Sequence, residues 1–211
     1  MNIILVRHGQ TDWNVQDLLQ GRSDIELNEN GKRQTIETAN KLVQMNIDAI
    51  YVSPLRRTMD TANQINKTRN LKLNIENRLI ERGFGNYEGQ SKVEFRKYWN
   101  FESNMSDNGV EPIKELFERV YVLLKELNEK YTENETVLLV THNGVNLAVS
   151  SIFCLLGAYT YTISISHAQE STFSNTLSIK NFISYSESSA YPAAVTQCFE
   201  PDSWNLPPLF L

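Results

Sequence analysis

The sequence predicts an α/β protein with a mostly parallel central sheet flanked by helices on both faces. Short apolar segments rich in β-branched residues recur along its first two thirds, and three of them end at a turn containing glycine or proline. Segments in which apolar residues recur at helical spacing lie between them. Strands and helices that alternate in this order form parallel sheets covered on both sides.

Four strands are predicted, at residues 1–6, 48–52, 71–75 and 135–141. Each is a short run rich in aliphatic or β-branched residues, and the last is the most apolar. The first leads into Arg7, His8 and Gly9, the second into Ser53, and the last into His142. Polar residues therefore follow the carboxyl ends of these strands.

Helices are predicted between the strands. The first covers residues 31–45, with Asn28 as its cap. Ser53 is predicted to cap a second helix, which carries Pro54 in its first turn. The clearest pattern covers residues 112–131, where an apolar stripe predicts packing against the sheet. The stripe consists of Ile113, Leu116, Phe117, Val120, Leu123, Leu124 and Leu127.

Length and charge exclude several classes of protein. At 211 residues the chain fits one domain, with or without an appendage. A net charge of −5 gives it no nucleic-acid-binding character, and no apolar run is long enough to span a bilayer. Since no secretory signal is recognised, the two cysteines are expected to stay reduced, and a cytoplasmic location is predicted.

The C-terminal part departs from this pattern. Residues 158–211 are dense in serine and threonine, with one alternating segment that predicts a strand at residues 176–182. Four prolines break regular structure beyond it, namely Pro192, Pro201, Pro207 and Pro208. We therefore divide the chain into a main domain over residues 1–183 and an atypical extension over residues 184–211, which is expected to be disordered or loosely packed.

Parallel strands deliver the residues that follow them to one edge of the sheet. His8, His142 and Arg56 are therefore predicted to lie together. A neutral imidazole is a nucleophile, and the arginine fork binds the oxygens of a phosphate or carboxylate. The glycine-rich loop at residues 79–89 adds Glu81, a candidate acid.

Five motifs in this order resemble those of the histidine phosphatase superfamily, also called phosphoglycerate mutase-like. They are Arg7-His8-Gly9 with Thr11 and Asn14; Gln20-Gly21 with Asp24, Leu27 and Gly31; Ser53-Pro54-Leu55-Arg56-Arg57-Thr58 with Thr61-Ala62; Leu79, Glu81, Gly85 and Glu88-Gly89; and Thr141-His142-Asn143-Gly144-Val145. The resemblance implies a phosphoglycerate mutase-like fold and a catalytic role for residues 1–183.

The resemblance also implies a catalytic set of His8, Arg7, Arg56, Glu81 and His142. His8 is expected to attack phosphorus and form a phosphohistidine, which splits one difficult transfer into two easier ones. The two arginines and His142 are expected to bind the phosphoryl oxygens, with Asn14 as a neutral donor. Glu81 is expected to protonate the leaving alkoxide and then to activate water.

Five residues are expected to bind the substrate, namely Asn14, Gln20, Gly21, Asn143 and Gly144. Two choices between neighbours stay open. Either Arg56 or Arg57 can be a solvated helix residue, and the motif favours Arg56 for the site. Glu88 is the alternative to Glu81 as the acid. No cluster of histidine, cysteine and carboxylate residues has the spacing of metal ligands, so neither a metal nor a cofactor is expected.

Residues 91–111 occupy the position where the family inserts a helical lid. They show no clear helical period and carry Tyr98, Trp99 and Phe101. Core packing is the default expectation for these aromatic residues, and the lining of a substrate pocket is the alternative.

Together these features predict a metal-independent phosphomonoester hydrolase that acts on a small phosphorylated metabolite. A cofactor-dependent phosphoglycerate mutase is the alternative enzyme, and an inactive phospho-ligand-binding module is the alternative of another class. The loop at residues 85–89 has the phosphatase form, and Arg96 is the only arginine between it and Pro112, where mutases carry several. The substrate and the oligomeric state stay open.

Overall fold

Five parallel strands form the central sheet. The structure, a computed structural model, describes residues 1–98, 107–155 and 161–163. The strands are β1 (Asn2–Arg7), β2 (Ala49–Val52), β3 (Leu73–Ile75), β4 (Thr136–Thr141) and β5 (Tyr161–Ile163). Their order across the sheet is β3-β2-β4-β1-β5, and each neighbouring pair is parallel. The predicted fold class is confirmed.

Helices cover both faces of this sheet. In the described residues they are α1 (Asp12–Val15), α2 (Glu29–Leu42), α3 (Arg56–Asn66), α4 (Lys92–Tyr98), α5 (Ile113–Lys130) and α6 (Asn143–Leu155). Short 3-10 turns cover Asn77–Leu79, Gly85–Tyr87 and Asp107–Gly109. α2 and α3 pack on one face, and α5 and α6 on the other. None of these described helices combines the length and the apolar character needed to cross a membrane.

Burial on both faces explains the continuous apolar runs of the strands. In β4, Val137 and Leu139 pack against α5 and α6, while Leu138 and Val140 pack against the face that carries α2 and α3. The apolar stripe of α5 lies in the core, as predicted. Its buried members are Leu116, Phe117, Val120, Leu123, Leu124 and Leu127.

The strand ends that carry polar residues are aligned. Val6 of β1 and Val52 of β2 both lie opposite Val140 of β4, and Arg7 lies opposite Thr141. The chain leaves β1 towards the face covered by α2, and it leaves β4 towards the face covered by α6. Ligands of open α/β sheets bind where neighbouring strands continue to opposite faces.

The two predicted helix caps differ in outcome. The side chain of Asn28 accepts a hydrogen bond from the backbone N–H of Gly31 at 2.8 Å, which confirms it as the cap of α2. Ser53 is not a cap: α3 begins at Arg56 after Leu55, and no side chain caps it. The prediction for Ser53 is wrong because its hydroxyl is hydrogen-bonded to a histidine instead of to a helix N–H.

Part of residues 91–111 is helical, as α4. In that helix Phe95 packs against Leu19, Phe84 and Val110, so this segment contributes to a small core of its own. Trp99 and Phe101 lie outside the described residues, as do the strand predicted at residues 176–182 and the extension at residues 184–211. β5 is not among the strands predicted from the sequence.

Candidate active site

His8 follows β1, and the backbone fixes the tautomer of its ring. The side chain is buried, and its Nδ1 lies 2.7 Å from the carbonyl oxygen of Gly9. A carbonyl oxygen can only accept a hydrogen bond, so Nδ1 carries the proton and Nε2 carries the lone pair of the neutral ring. The ring therefore offers Nε2 as a nucleophile.

Two glycines bring the loop after β1 close to α2. A Cβ atom on Gly9 would lie 2.5 Å from the carbonyl oxygen of Gly31, and one on Gly31 would collide with the carbonyl oxygen of Gln10. A side chain at either position would push the loop away from the helix and displace His8. The glycines are thus part of what positions the nucleophile.

His142 follows β4 and lies beside His8. The ring centroids are 5.2 Å apart, and the planes are tilted by 58°. His142 is fully buried; its Nε2 lies 2.7 Å from the hydroxyl oxygen of Ser53, and its Nδ1 has no hydrogen-bond partner among the described residues. Burial, together with the charges of Arg57 and Arg7, lowers the pKa of His142 well below its ordinary value.

The structure brings Arg57, and not Arg56, into this cluster. Arg57 is fully buried and donates to the carbonyl oxygens of Ser23 at 2.7 Å and Gly21 at 2.8 Å. Burial lowers the pKa of Arg57 to about 10, against the opposing charge of Glu81, so its guanidinium stays protonated at neutral pH. Its Nε is buried and has no hydrogen-bond partner among the described residues.

Arg56 points away from the site. Its side chain is 65% exposed and forms ion pairs with Asp24 and Glu26, both at 3.3 Å. The placement of Arg56 at the phosphate is therefore a prediction that the geometry does not support. The reason is helix geometry, since the inward face of α3 carries the residues in step with Arg57. These are Thr58, Thr61, Ala62 and Ile65, all buried.

The loop at residues 20–24 joins Arg57 to the rest of the site. Gln20 is buried, and Gly21 has a φ of 52°, in the left-handed region that favours glycine. A Cβ atom on Gly21 would also collide with the carboxylate of Glu88. Gly21 is thus required for backbone reasons, while its carbonyl oxygen holds Arg57.

Glu81 lies against the N-terminus of α6. Its carboxylate is half-buried and accepts hydrogen bonds from the backbone N–H of Arg82 at 2.9 Å and of Gly144 at 3.3 Å. A Cβ atom on Gly144 would lie 2.6 Å from Oε1 of Glu81, so a side chain there would displace the carboxylate from this position. Because Gly144 comes two residues after His142, the carboxyl group lies next to the histidine pair.

Glu88 links the glycine-rich loop at residues 79–89 to the loop at residues 20–24. Its carboxylate accepts from the backbone N–H groups of Arg22, Ser23 and Phe84 at 2.9, 2.8 and 3.0 Å, and from the hydroxyl of Ser23 at 2.6 Å. A carboxylate that receives four donors is held for structure, and we therefore place Glu81 ahead of Glu88 as the acid.

Glu111 is a buried carboxylate that none of the sequence motifs includes. It is paired twice with Arg119, at 2.8 and 3.1 Å, and once with Arg22, at 3.2 Å, and it accepts from the N–H of Gly83 at 3.2 Å. Burial opposes its charge, but the bonds and charges of Arg119 and Arg22 hold the pKa of Glu111 below its ordinary value. Only its position directly before Pro112, where the clearest helical pattern begins, could have drawn attention to it.

The two predicted asparagines occupy different positions. Oδ1 of Asn14 accepts from the N–H of Thr11 at 3.0 Å, while the hydroxyl of Thr11 accepts from the N–H of Asn14 at 3.2 Å. Nδ2 of Asn14 is therefore the atom able to donate to a ligand. Asn143 is exposed at the first position of α6. Across residues 1–98, 107–155 and 161–163, no group of histidine, cysteine and carboxylate side chains could hold a metal ion.

The chain matches a family and several individual proteins. The sequence model of the histidine phosphatase superfamily (branch 1) covers residues 3–172. The chain is 38% identical over 140 residues to the uncharacterized phosphatase PhoE of Bacillus subtilis, which covers 66% of this chain and 70% of that protein. It is 32% identical over 164 residues to phosphoserine phosphatase 1 of Hydrogenobacter thermophilus, covering 74% and 76%.

Solved structures share the fold. A mycobacterial glucosyl-3-phosphoglycerate phosphatase in complex with VO3 superimposes with a TM-score of 0.66 and 30% identity, over 72% of this chain and 81% of that chain. YhfR of Bacillus stearothermophilus superimposes with a TM-score of 0.64 and 27% identity, over 71% and 78%.

Proposed function

This chain belongs to branch 1 of the histidine phosphatase superfamily, and from that membership we propose that it hydrolyses phosphomonoesters through a phosphohistidine on His8. Several of its relatives are phosphatases, and the chain is accordingly a phosphomonoesterase. The roles of individual residues, independence from metals and the course of the reaction form the proposal. The geometry of the site supports them.

One observation carries the proposed chemistry: two buried nitrogen atoms without partners lie in the cluster around His8. They are Nδ1 of His142 and Nε of Arg57, neither of which has a hydrogen-bond partner among the described residues. Buried polar groups are nearly always hydrogen-bonded. A ligand that accepts hydrogen bonds and carries negative charge would complete the site, and a phosphoryl group does both.

In the proposed reaction, Nε2 of His8 attacks phosphorus and forms an N–P bond while the bond from phosphorus to the leaving oxygen breaks. Glu81 gives its proton to that oxygen. Glu81 then takes a proton from the water that attacks the phosphohistidine, which releases inorganic phosphate and restores the lone pair of His8. Arg7, Arg57 and His142 stabilise the charge on the phosphoryl oxygens.

We place Arg57 in this set instead of Arg56. Its fixed, buried guanidinium is a better phosphate donor than an exposed side chain that pairs with two carboxylates. The resulting set of His8, Arg57, Glu81 and His142 argues against an inactive binding module. The phosphatase relatives favour hydrolysis over a mutase reaction.

The relatives also support the substrate class. Two of them are named for the phosphoserine and glucosyl-3-phosphoglycerate that they dephosphorylate, and we propose a small phosphorylated metabolite for this chain. The family match over residues 3–172 supports a catalytic domain that ends near residue 183. A cytoplasmic location and no nucleic-acid partner remain our predictions.

The nucleophile provides the test. His8→Ala should lower the hydrolysis of p-nitrophenyl phosphate by at least about a thousandfold, because loss of a covalent nucleophile removes the whole pathway. Wild-type protein mixed with a 32P-labelled substrate and quenched in alkaline detergent should carry label that mild acid removes. His167→Ala, which changes a histidine outside the motifs, serves as the matched control. Near-normal activity of His8→Ala would overturn the proposed function.

A further inference from the structure

Ser53 has no part in the reaction above, yet it contacts one of its histidines. It follows β2, its side chain is fully buried, and its hydroxyl oxygen lies 2.7 Å from Nε2 of His142. The backbone of Ser53 is held on both sides, because its N–H donates to Val140 at 3.1 Å and its carbonyl oxygen accepts from the hydroxyl of Thr58 at 2.9 Å. The hydroxyl is therefore fixed against the ring.

Two arrangements of protons fit this contact. If Ser53 donates to Nε2, the neutral ring carries its proton on Nδ1, and that N–H is the one group without a partner among the described residues. If Nε2 donates to Ser53, then the hydroxyl proton and the lone pair of Nδ1 both lack described partners. Each buried polar group without a partner costs free energy, so the first arrangement is favoured.

We propose that Ser53 is a positioning residue that donates to Nε2 of His142 and thereby keeps this histidine as the Nδ1–H tautomer, which donates to a phosphoryl oxygen. The proposal rests on the proposed phosphatase function. In this arrangement both histidines are Nδ1–H tautomers, but they have different roles in the reaction. His8 has its proton on Nδ1 because Gly9 accepts it, and its Nε2 attacks phosphorus. His142 has its proton on the same atom because Ser53 occupies Nε2.

The tautomer matters because His142 is neutral. Its full burial and the neighbouring charges of Arg57 and Arg7 disfavour a second proton. A neutral imidazole donates from one nitrogen only. A lone pair on Nδ1 would repel a phosphoryl oxygen, whereas a proton there binds it.

A first experiment reads the tautomer of the free protein. In protein that contains 15N-labelled histidine, two-bond proton–nitrogen NMR correlations distinguish a protonated ring nitrogen from one with a lone pair. The signals that disappear in His142→Gln identify the residue. We expect Nδ1 protonated and Nε2 unprotonated at neutral pH. A protonated Nε2 would overturn the proposal and would leave the phosphatase function standing, and this holds whether or not variants at Ser53 fold.

A second experiment compares Ser53→Ala with Thr38→Val. Both remove a buried hydroxyl, but the hydroxyl of Thr38 donates to the carbonyl oxygen of Gln34 within α2, and only Ser53→Ala removes the bond to His142. We expect Ser53→Ala to lose the tautomer preference and about tenfold in kcat, the effect of one neutral hydrogen bond. Thr38→Val should keep both the tautomer preference and the kcat of the wild type, when kcat is calculated per folded molecule. Equal losses in kcat, or an unchanged tautomer in Ser53→Ala, would contradict the proposal. If wild-type protein released no phosphate, the proposed function would fail while the tautomer remained measurable.

Discussion

Adjacent arginines at the start of α3 have opposite environments. Neighbouring helix residues point about 100° apart, so one of the two faces the sheet and the other faces solvent. Arg57 is buried and bonded to the loop at residues 20–24, while Arg56 is exposed and paired with Asp24 and Glu26. Exposed pairs of this kind contribute about 0–1 kcal/mol to stability.

The two arginines can therefore be compared directly, with Arg56→Ala as the control for Arg57→Ala. Arg57→Ala should lower kcat/KM for p-nitrophenyl phosphate by about a hundredfold to a thousandfold, as expected when a fixed donor to a developing charge is lost. Arg56→Ala should stay within about twofold of wild type, because it loses only exposed ion pairs. Circular dichroism corrects both for the folded fraction. The reverse order of losses would return Arg56 to the site.

Glu81 and Glu88 differ in what they can do for a leaving group. Glu81→Gln keeps the size of the side chain but cannot give up a proton. General acid help is worth about a hundredfold to ten-thousandfold, and an alkyl alkoxide needs it far more than p-nitrophenolate does. We expect Glu81→Gln to lose much more kcat/KM on phosphoserine than on p-nitrophenyl phosphate.

Glu88→Gln is the matched control for this prediction. It replaces one of the two carboxylate oxygens, which accept hydrogen bonds from Arg22, Ser23 and Phe84, by an NH2 group that cannot accept them. We expect Glu88→Gln to lower the thermal stability. Any loss of kcat/KM should be similar for the two substrates. Equal losses on both substrates in Glu81→Gln would remove Glu81 from the acid role.

For the residues of the site, the sequence predicts which chemical groups are present better than it predicts which side chains point into the site. The positions of His8 and His142 could be predicted because each directly follows an apolar strand. Arg57 could also have been preferred, since Thr61, Ala62 and Ile65 mark the inward face of α3 and Arg57 is one turn before Thr61. The role of Ser53 was not accessible, because its partner His142 is distant in sequence and a serine before a proline reads as a cap.

The loop between β3 and α5 carries the acid, and two carboxylates hold it in place. Glu88 ties it to the loop at residues 20–24, and Glu111 ties Gly83 to Arg119 on α5. Irregular segments of this kind are weakly predictable because side chains, and not a repeating backbone pattern, determine their shape. The long amphipathic pattern of α5, by contrast, predicted its bounds within one residue at each end.

Glu111 should make stability depend on pH. Its pKa in the folded protein is below the ordinary value of 4.5, so its contribution is present above that pH and is lost as the pH falls through the folded pKa. Glu111→Gln should lower the free energy of unfolding by about 3–5 kcal/mol at pH 7, as for other buried ion pairs that lose one partner. The difference from wild type should shrink in acid.

Urea denaturation between pH 7 and pH 3 measures this effect. Glu118→Gln on α5, the helix that carries Arg119, is the control, because Glu118 is 59% exposed and pairs with Lys114 at 3.7 Å. It should change the unfolding free energy little at any pH. A difference between wild type and Glu111→Gln that stayed constant with pH would rule out a titrating Glu111 as its cause.

For the whole molecule, positive charge at the site comes from the protein itself. Arg7 and Arg57 lie close enough to His142 to lower its pKa, and both are charged at neutral pH. We therefore expect phosphatase activity to survive dialysis against EDTA, assayed with p-nitrophenyl phosphate and compared with a metal-dependent alkaline phosphatase. Loss of activity that Mg²⁺ or Zn²⁺ restores would require a different mechanism.

The position of β1 in the sheet has a consequence for how the chain folds. β1 pairs with β4 on one side and with β5 on the other, and both lie far from it along the described chain. Contacts between such distant segments slow folding, because the loop between them must close before the pairing is rewarded. Until β4 and β5 pair with it, β1 is an apolar strand with two unpaired edges, and such strands are prone to aggregate. The nucleophile at the end of β1 thus meets its partner histidine only after the long segment between β1 and β4 has been synthesised and these two strands have paired.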